Sequence, residues 1–232
     1  MVTFNLFHGG ELSGLSGDDR ELERRLQMVV EELQALRPDI VALQEASLGR
    51  GRGDVAARIA GALGFFHAYA PANPRPFGGE WVHRALAALL NFSEGPAIVS
   101  RFPILEAQVH HLPRCTGRNG ELRTLLSAAL RTPWGILQVG STHTRGDPCQ
   151  TGAVAEQMAR GRNGLPGILM GDFNAVEGSP AVAALRERAG AVDVFRAANP
   201  AAAGPTVWQR LEGPEATVYR RVDYIFLLPG ER

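Results

Sequence analysis

The sequence contains no lysine, and arginine supplies all 24 of its basic residues other than histidine. A chain without lysine cannot form a lysine Schiff base, and it cannot contain a phosphate-binding loop of the Gly-Lys-Ser/Thr type. The 24 basic residues are matched by 24 acidic ones, so the formal net charge is +0. Neutrality argues against a dedicated DNA or RNA binder, although a local basic patch remains compatible with it.

Cysteine and long apolar runs are scarce as well. The two cysteines, Cys115 and Cys149, stand in neither a CxxC nor a zinc-type spacing. They can pair, but free or partly buried thiols are the favoured interpretation, because cysteine is commonly buried as a small hydrophobe. No segment approaches the roughly 20 apolar residues of a membrane span, and the N-terminus lacks the pattern of a signal peptide. We therefore expect a cytoplasmic protein without a membrane span.

The 232 residues are 45% hydrophobic and 21% charged, which is typical of a globular chain, and we expect a single domain over 1–232. Helical spacing of apolar residues predicts helices over 18–36 (N-cap Asp18 or Asp19), 54–63, 81–90, 150–160 and from Ser179-Pro180 onward. Short β-rich runs predict strands over 2–7, 40–43, 65–70, 97–100, 104–112, 124–130, 136–142, 165–170, 206–209 and 222–228. This mixed order indicates two β-sheets with helices outside them.

Acidic and amide side chains stand where predicted strands meet turn residues. They are Asn5, Glu45, Asp172, Asn174 and Asp223. Hard cations such as Mg²⁺ prefer oxygen ligands, and often use one or two protein carboxylates together with water and substrate phosphate. Each residue alone is weak evidence, because an aspartate at such a junction is more often a turn or cap residue. Their combined order along the chain carries the argument.

Six ordered segments contain these and neighbouring residues. They are Thr3-Phe4-Asn5, Leu43-Gln44-Glu45, Gly95-Pro96-Ala97-Ile98-Val99-Ser100-Arg101, Ser141-Thr142-His143, Gly171-Asp172-Phe173-Asn174 and Arg221-Val222-Asp223-Tyr224-Ile225. Together they resemble the endonuclease/exonuclease/phosphatase superfamily. The last two segments are fairly specific, whereas Gln-Glu or Thr-His alone would match by chance. The resemblance implies a deoxyribonuclease I-like fold of the α/β (α+β) class. That fold is a four-layer α/β/β/α sandwich with two packed mixed β-sheets, here expected to lack its last C-terminal strand.

The same resemblance implies roles for individual residues. Glu45 resembles the principal ligand of Mg²⁺, for which Mn²⁺ can substitute, and Asn5 would lie close to the same ion. Asp172 would orient or deprotonate the attacking water, and Asn174 would hold a phosphate oxygen. His143 occupies the place of a histidine that helps bind or protonate the phosphate.

Two further residues, Asp223 and Arg123, complete the expected site. Asp223 resembles a carboxylate that orients a catalytic histidine through its ring N–H. Arg123 would either steady the sheet edge or bind the phosphate.

A Ser-Asp-His segment, which normally follows the strand of Asp223 in this superfamily and supplies that histidine, is missing. No histidine follows Asp223; the six are His8, His67, His83, His110, His111 and His143. Three interpretations stay open: a C-terminally incomplete sequence, an inactive relative, or a substitute histidine, for which His8 is the nearest candidate.

The sequence therefore predicts a Mg²⁺-dependent phosphoester hydrolase that uses an activated water, whether phosphodiesterase, phosphatase or nuclease. The expected partner is a phosphoester substrate, which is a small molecule, a lipid headgroup or a nucleic acid, and the chain is expected to act as a monomer. Arginine binds phosphate in a bidentate manner, but this does not distinguish among these substrates. The alternative is an inactive family member that binds a phospho-ligand or a protein.

Overall fold

The computed structural model describes residues 1–7, 20–49, 52–72, 92–115, 123–210 and 217–230 of the chain. Its strands are β1 (Val2–Asn5), β2 (Ile40–Gly49), β3 (Gly53–Asp54), β4 (Phe66–Tyr69), β5 (Ser93–Ser100), β6 (Ile104–His111), β7 (Thr124–Thr132), β8 (Gly135–His143), β9 (Gly167–Asp172), β10 (Val192–Asp193), β11 (Val207–Arg210), β12 (Thr217–Arg220) and β13 (Asp223–Leu228). Its helices are α1 (Arg20–Leu36), α2 (Val55–Leu63), α3 (Pro148–Arg162), α4 (Pro180–Ala189) and α5 (Val194–Ala198).

The larger strands form two mixed sheets. The first has the order β1-β2-β5-β4, with β3 paired to β2, and the second has the order β10-β13-β9-β8-β7-β6. The pairs β1–β2 and β8–β9 are parallel, whereas the other neighbours are antiparallel. Strands β11 and β12 form a separate antiparallel pair.

Side-chain alternation along the central strands builds the layers. On β2, Val41 and Leu43 pack in the cluster that contains α1 and α2, whereas Ile40 and Ala42 pack against the second sheet. Because successive side chains of a strand point to opposite faces, one strand serves both layers. The predicted packing of two mixed sheets is confirmed on this side.

The second sheet repeats the arrangement. On β9, Ile168 and Met170 join the core between the sheets, whereas Leu169 packs with residues of α3 and α4. Buried Met158 of α3 and Leu185 of α4 cover that outer face. The predicted four-layer α/β/β/α sandwich is therefore confirmed, with β1 at an edge of its sheet among the described strands.

Local capping explains why several helix ends were predictable. Asp54 caps α2 by accepting from the Ala57 N–H, and Gly64 ends that helix in the left-handed conformation, with φ of 69°. Ser179 caps α4 ahead of Pro180, as the sequence predicts. The predicted helix over 81–90, as well as Asp18 and Asp19, lies outside the described residues. Within the described residues, no helix is long and apolar enough to cross a membrane.

Cys115 and Cys149 form a disulfide, so the favoured interpretation of two free thiols was wrong. The two residues are 34 positions apart, but the segment after β6 and the start of α3 lie side by side, which puts their Cα atoms 5.8 Å apart. Gln150 links the same segments, because its side chain donates to the Pro113 carbonyl oxygen at 3.3 Å. Disulfides are rare where thiols are kept reduced, so this bond argues against the expected cytoplasmic location.

The disulfide supplies a first prediction about stability. Replacing both cysteines with serine should lower the free energy of unfolding by about 3 kcal/mol, because the bond closes a loop of 34 residues in the unfolded chain. Urea titration followed by circular dichroism measures this loss. Dithiothreitol should destabilise the original chain to a similar extent and leave the double variant unchanged. Two titratable thiols in the unreduced native protein would contradict the bond.

Candidate active site

The polar residues singled out in the sequence meet at one end of the two sheets. Asn5 ends β1, and Glu45 lies within β2 beside it. In the second sheet, His143 at the end of β8 pairs in register with Asp172 at the end of β9. Asp223, which opens β13, pairs with Asp172 from the other side. Three neighbouring strands thus place a histidine and two carboxylates in one row.

The Asn5 side chain links the carboxylates of both sheets. Its Nδ2 donates to Glu45 Oε1 at 3.2 Å and to Asp172 Oδ2 at 3.2 Å. Its Oδ1 accepts the Phe7 backbone N–H at 2.9 Å. This last bond fixes the orientation of the amide, since an N–H requires an oxygen opposite it. Asn5 therefore directs its two donors, rather than its oxygen, toward the carboxylates.

Glu45 reaches the site through an irregularity in β2. The pairing of β2 with β5 shifts register between Leu43 and Ala46, and Glu45 has a φ of 53°. A bulge of this kind redirects a side chain out of the regular alternation, and a positive φ at a non-glycine residue stores local strain. The Glu45 side chain is only 13% exposed, so its carboxylate is held in a largely dry position. The strand predicted over 40–43 extends to Gly49 because β5 pairs beyond this bulge.

The segment from Gly171 to Asn174 forms a tight turn after β9. The Asn174 backbone N–H donates to Asp172 Oδ1 at 2.9 Å, and Asn174 adopts a φ of 49°. Aspartate commonly accepts from the backbone two residues further on, and asparagine tolerates the left-handed conformation. A Cβ on Gly171 would overlap the Thr142 carbonyl oxygen, so glycine is needed where β8 and β9 approach.

The buried ring of Phe173 anchors this turn in the core. It makes edge contacts with Tyr224 and Phe226, at centroid distances of 5.9 and 5.5 Å. The Tyr224 hydroxyl lies 2.9 Å from the Ala175 carbonyl oxygen, just beyond the turn. The two most specific sequence segments therefore pack on each other, which holds Asp172 in place.

His143 lies between Arg123 and Asn174. Arg123 Nη1 is 2.9 Å from His143 Nδ1, and Asn174 Nδ2 is 2.8 Å from Nε2. Arginine and the amide nitrogen of asparagine can only donate, so a neutral His143 ring, which has one acceptor nitrogen, accepts from one of these two neighbours and not from both. Nε2 also lies 3.7 Å from Asp172 Oδ2, and Nδ1 lies 3.5 Å from Glu45 Oε1. The Arg123 guanidinium is thus in contact with the histidine ring.

Burial changes the acidity of both aspartates. The pKa of Asp172 is raised by desolvation, against the opposing hydrogen bonds from Asn174 and Asn5. Burial, together with the negative charge of Asp172, raises the pKa of Asp223 to about 6, whereas a hydrogen bond with Thr206 acts in the opposite direction. The charge of Asp172, paired in register on the neighbouring strand, therefore adds to burial in destabilising the charged form of Asp223.

No described histidine pairs with Asp223. Of the described histidines other than His143, His110 bonds Ser127 at 2.9 Å, His67 lies 3.8 Å from Asp54, and His111 pairs on β6 with Thr124 of β7. His8, the candidate substitute, and His83 lie outside the described residues. The expected pairing of Asp223 with a catalytic histidine therefore stays a prediction.

The carboxylate oxygens beside Asn5 are suitable ligands for a hard divalent cation. The Glu45 and Asp172 carboxylates converge on the same amide. Such like charges are stabilised by a cation that prefers oxygen ligands. The fit is best at these two carboxylates, because the Asn5 oxygen is engaged by the Phe7 N–H.

Comparison with known proteins identifies the family. A model of the endonuclease/exonuclease/phosphatase family matches residues 2–227, nearly the whole chain. The chain belongs to this family. A search of curated protein sequences finds no match.

Three solved structures share the fold of this chain. An endonuclease/exonuclease/phosphatase from Beutenbergia cavernae DSM 12333 has 23% identity and a TM-score of 0.67, over 98% of this chain and 64% of that one. The Bacteroides thetaiotaomicron VPI-5482 mannosyl-6-phosphatase Bt3783 has 18% identity and a TM-score of 0.67, over 98% and 85%. D. rerio TDP2 complexed with single strand DNA product has 16% identity and a TM-score of 0.65, over 99% and 83%. The present chain thus spans about two thirds of the Beutenbergia protein.

The structure adds three residues to this candidate site that sequence reasoning missed. The Thr144 carbonyl oxygen accepts from Asn174 Nδ2 at 2.8 Å, and Thr206 Oγ1 accepts the Asp223 N–H at 3.1 Å. Buried Glu94 lines a small pocket with Glu45, Arg123 and His143. Glu94 directly precedes the Gly95-Pro96 segment and Thr144 follows Thr142-His143, so both adjoin recognisable motifs. Nothing local marks Thr206.

Because the pKa of Asp223 is raised, Asp223→Asn should increase the free energy of unfolding at high pH and leave it unchanged at low pH. The folded pKa of about 6 exceeds the unfolded value, so folding stability is lost as pH rises from about 4 to about 6. At pH 8, the variant should exceed the original chain by about 1–2 kcal/mol in the free energy of unfolding, and below about pH 4 the difference should disappear. Urea titrations in the presence of a metal chelator measure both values.

Glu106→Gln, at an exposed position on β6, is the matched control and should show no such gain. Equal stability of Asp223→Asn and the original chain at pH 8 would show that Asp223 carries no charge penalty.

Proposed function

We propose that this chain is a Mg²⁺-dependent phosphoester hydrolase that uses an activated water, with Mn²⁺ as an alternative metal. The observation that carries the proposal is the convergence of Asp172, Asn174 and His143 beside Glu45. These residues combine a carboxylate base, neutral donors and a site for a cation. Two proteins of the same fold are a mannosyl-6-phosphatase and TDP2 bound to a DNA product, which supports phosphate chemistry in general.

Asp172 is the proposed base for the attacking water. Desolvation raises its pKa, and a more basic carboxylate is a better proton acceptor. The Asn174 N–H and the Asn5 amide each occupy one site on its two oxygens. A carboxylate has about four acceptor sites, so sites remain for a water.

The phosphate would be bound by the donors around His143. His143 Nε2 lies 3.7 Å from Asp172 Oδ2, and Asn174 Nδ2 lies 2.8 Å from the same ring nitrogen, so both groups stand beside the proposed base. Donors placed where charge develops stabilise the transition state without reorganisation. The contact of Arg123 Nη1 with Nδ1 favours a positioning role for this arginine, which sets the ring orientation and adds positive charge behind it.

Glu45 would hold the metal ion, and Asn5 would keep the carboxylates of Glu45 and Asp172 close together. When bound, Mg²⁺ would neutralise negative charge on the phosphate oxygens and polarise the phosphorus. Glu45 lies in strained backbone, so its position is determined by the pairing around it rather than by the substrate.

The hydrolysis balances with water as the second reactant. The water oxygen forms a bond to phosphorus, its proton goes to Asp172, and the bond from phosphorus to the alcohol oxygen breaks. The departing alkoxide takes a proton from solvent in this assignment, because no described histidine pairs with Asp223.

Loss of either carboxylate should abolish most of the activity. With bis-p-nitrophenyl phosphate and Mg²⁺, Glu45→Gln and Asp172→Asn should each lower kcat/KM by about 10²- to 10⁴-fold, because one removes charge on the metal and the other removes the base. Release of nitrophenolate measures the rate. A chelator should stop the reaction, and Mg²⁺ or Mn²⁺ should restore it.

Glu106→Gln controls for removal of a carboxylate elsewhere on the sheets and should retain the original rate. Unchanged rates in both Glu45→Gln and Asp172→Asn would refute the assignment.

If solvent protonates the leaving group, the rate of hydrolysis should depend strongly on the pKa of the leaving alcohol. A methyl aryl phosphodiester should react faster as the aryl alcohol becomes more acidic, by at least about 10-fold across two units of alcohol pKa. Rates for a series of substituted phenyl esters measure the slope. A flat series would show that a protein acid protonates the leaving group.

A second function is favoured by one observation, the absence of a histidine partner for Asp223 among the described residues. The chain would then bind a phospho-ligand without turning it over. Calorimetric titration with inorganic phosphate and Mg²⁺ would show binding, while every phosphodiester stays intact. Metal-dependent turnover by the pure chain, absent in Glu45→Gln, would end this alternative.

A further inference from the structure

A large cavity adjoins the proposed active site. Its volume is about 910 Å³, and the described residues around it come from β1, α5, the segment before β11 and the start of β13. Cavities that bind small organic ligands usually measure about 300 to 1,000 Å³ and are lined mainly by apolar groups. We call this space the side cavity.

The side cavity opens onto the candidate active site. Asn5, Asp172 and Asp223 line one end of it. Because Asn5 also bonds Glu45, the cavity lies next to the proposed metal site. A phosphoester whose phosphate lies beside Asp172 would therefore extend one of its alcohol groups into this space.

The walls are apolar and include exposed aromatic rings. Phe4 and Phe7 are 41% and 53% exposed, and Val194 of α5 is 40% exposed. Phe195 and Ala198 continue the α5 wall. Covering such side chains with an apolar ligand removes their surface from water, which favours binding.

Charge disfavours a polyanionic occupant. Arg221 is the one cation among the described lining residues, and its guanidinium bonds Asp193 at 2.6 Å and Glu177 at 2.9 Å. Its charge is therefore balanced by residues of the protein. Asp172 and Asp223 add negative charge at the catalytic end, so further phosphates or carboxylates on the ligand would be repelled.

We propose that the side cavity binds an uncharged, apolar alcohol portion of the substrate phosphoester, an aromatic group being the best match to its walls. The assignment rests on the proposed function for the identity of the ligand, but the cavity can be tested without turnover. It makes Phe4, Phe7 and α5 determinants of substrate specificity.

The direct test uses 2-naphthol, an uncharged aromatic alcohol, in the presence of a metal chelator. The original chain should bind it saturably, as measured by naphthol fluorescence. Ala198→Trp places a large side chain at the α5 wall and should weaken binding at least about 10-fold. The same change at Ala107, exposed on β6 at the far edge of the second sheet, is the control and should leave binding unchanged.

Phe7→Ala is a second variant, which keeps the test possible if Ala198→Trp fails to fold. It removes apolar surface from the cavity wall instead of filling space, and it should also weaken naphthol binding. Circular dichroism establishes folding for each variant. Equal naphthol affinity in the original chain and in every folded wall variant would overturn the proposal. A doubling of the molecular mass of the original chain that Ala198→Trp abolishes would also overturn it, because a second copy of the chain would then occupy the cavity.

Inhibition separates this proposal from the proposed function. With bis-p-nitrophenyl phosphate as substrate, 2-naphthyl phosphate should inhibit at least about 10-fold more strongly than methyl phosphate, and Ala198→Trp should reduce that preference. Stronger inhibition by an inositol polyphosphate than by 2-naphthyl phosphate would overturn the cavity assignment while leaving hydrolysis intact. Naphthol binding without any turnover would support the cavity while removing the proposed function.

Discussion

The amide of Asn5 joins the two sheets at the point where the site lies. Asn5 belongs to the first sheet, and its Nδ2 donates to Glu45 of that sheet and to Asp172 of the second, both at 3.2 Å. One amide nitrogen can serve both carboxylates only while the sheets keep their relative position. The core between them, which includes Ile98 and Met170, maintains that position. The proposed metal site, base and phosphate donors all depend on this link.

Two non-glycine residues with left-handed backbone lie at the same place. Glu45 and Asn174 both have positive φ, and each contributes a side chain to the cluster. Such conformations persist when the surrounding structure determines them. The pairing of β2 with β5 imposes the conformation of Glu45, and the packing of Phe173 in the core restrains the turn that carries Asn174. The site is therefore arranged before any ligand binds, which lowers the cost of binding a transition state.

Features that depend on contacts between residues close in the chain were predicted from the sequence better than features that depend on distant contacts. The limits of α2 were predicted closely, because Asp54 and Gly64 cap it through contacts within a few residues. The length of β2 was not predicted, because the continuation of this strand to Gly49 depends on its pairing with β5 beyond a bulge. The pairing of Cys115 with Cys149 was misjudged for the same reason, since it requires β6 and α3 to end and begin side by side.

The sequence by itself determined the family and the local turn that bears Asp172 and Asn174, because an aspartate accepting from the backbone two residues later needs no distant partner. The tertiary structure decided which groups surround that turn. The contact of Arg123 with His143 follows from the pairing of β7 with β8. The raised pKa of Asp223 follows from its burial and from the charge of Asp172, with which it pairs in register. Distances between residues far apart in the chain are set by sheet pairing and core packing, which local patterns do not encode.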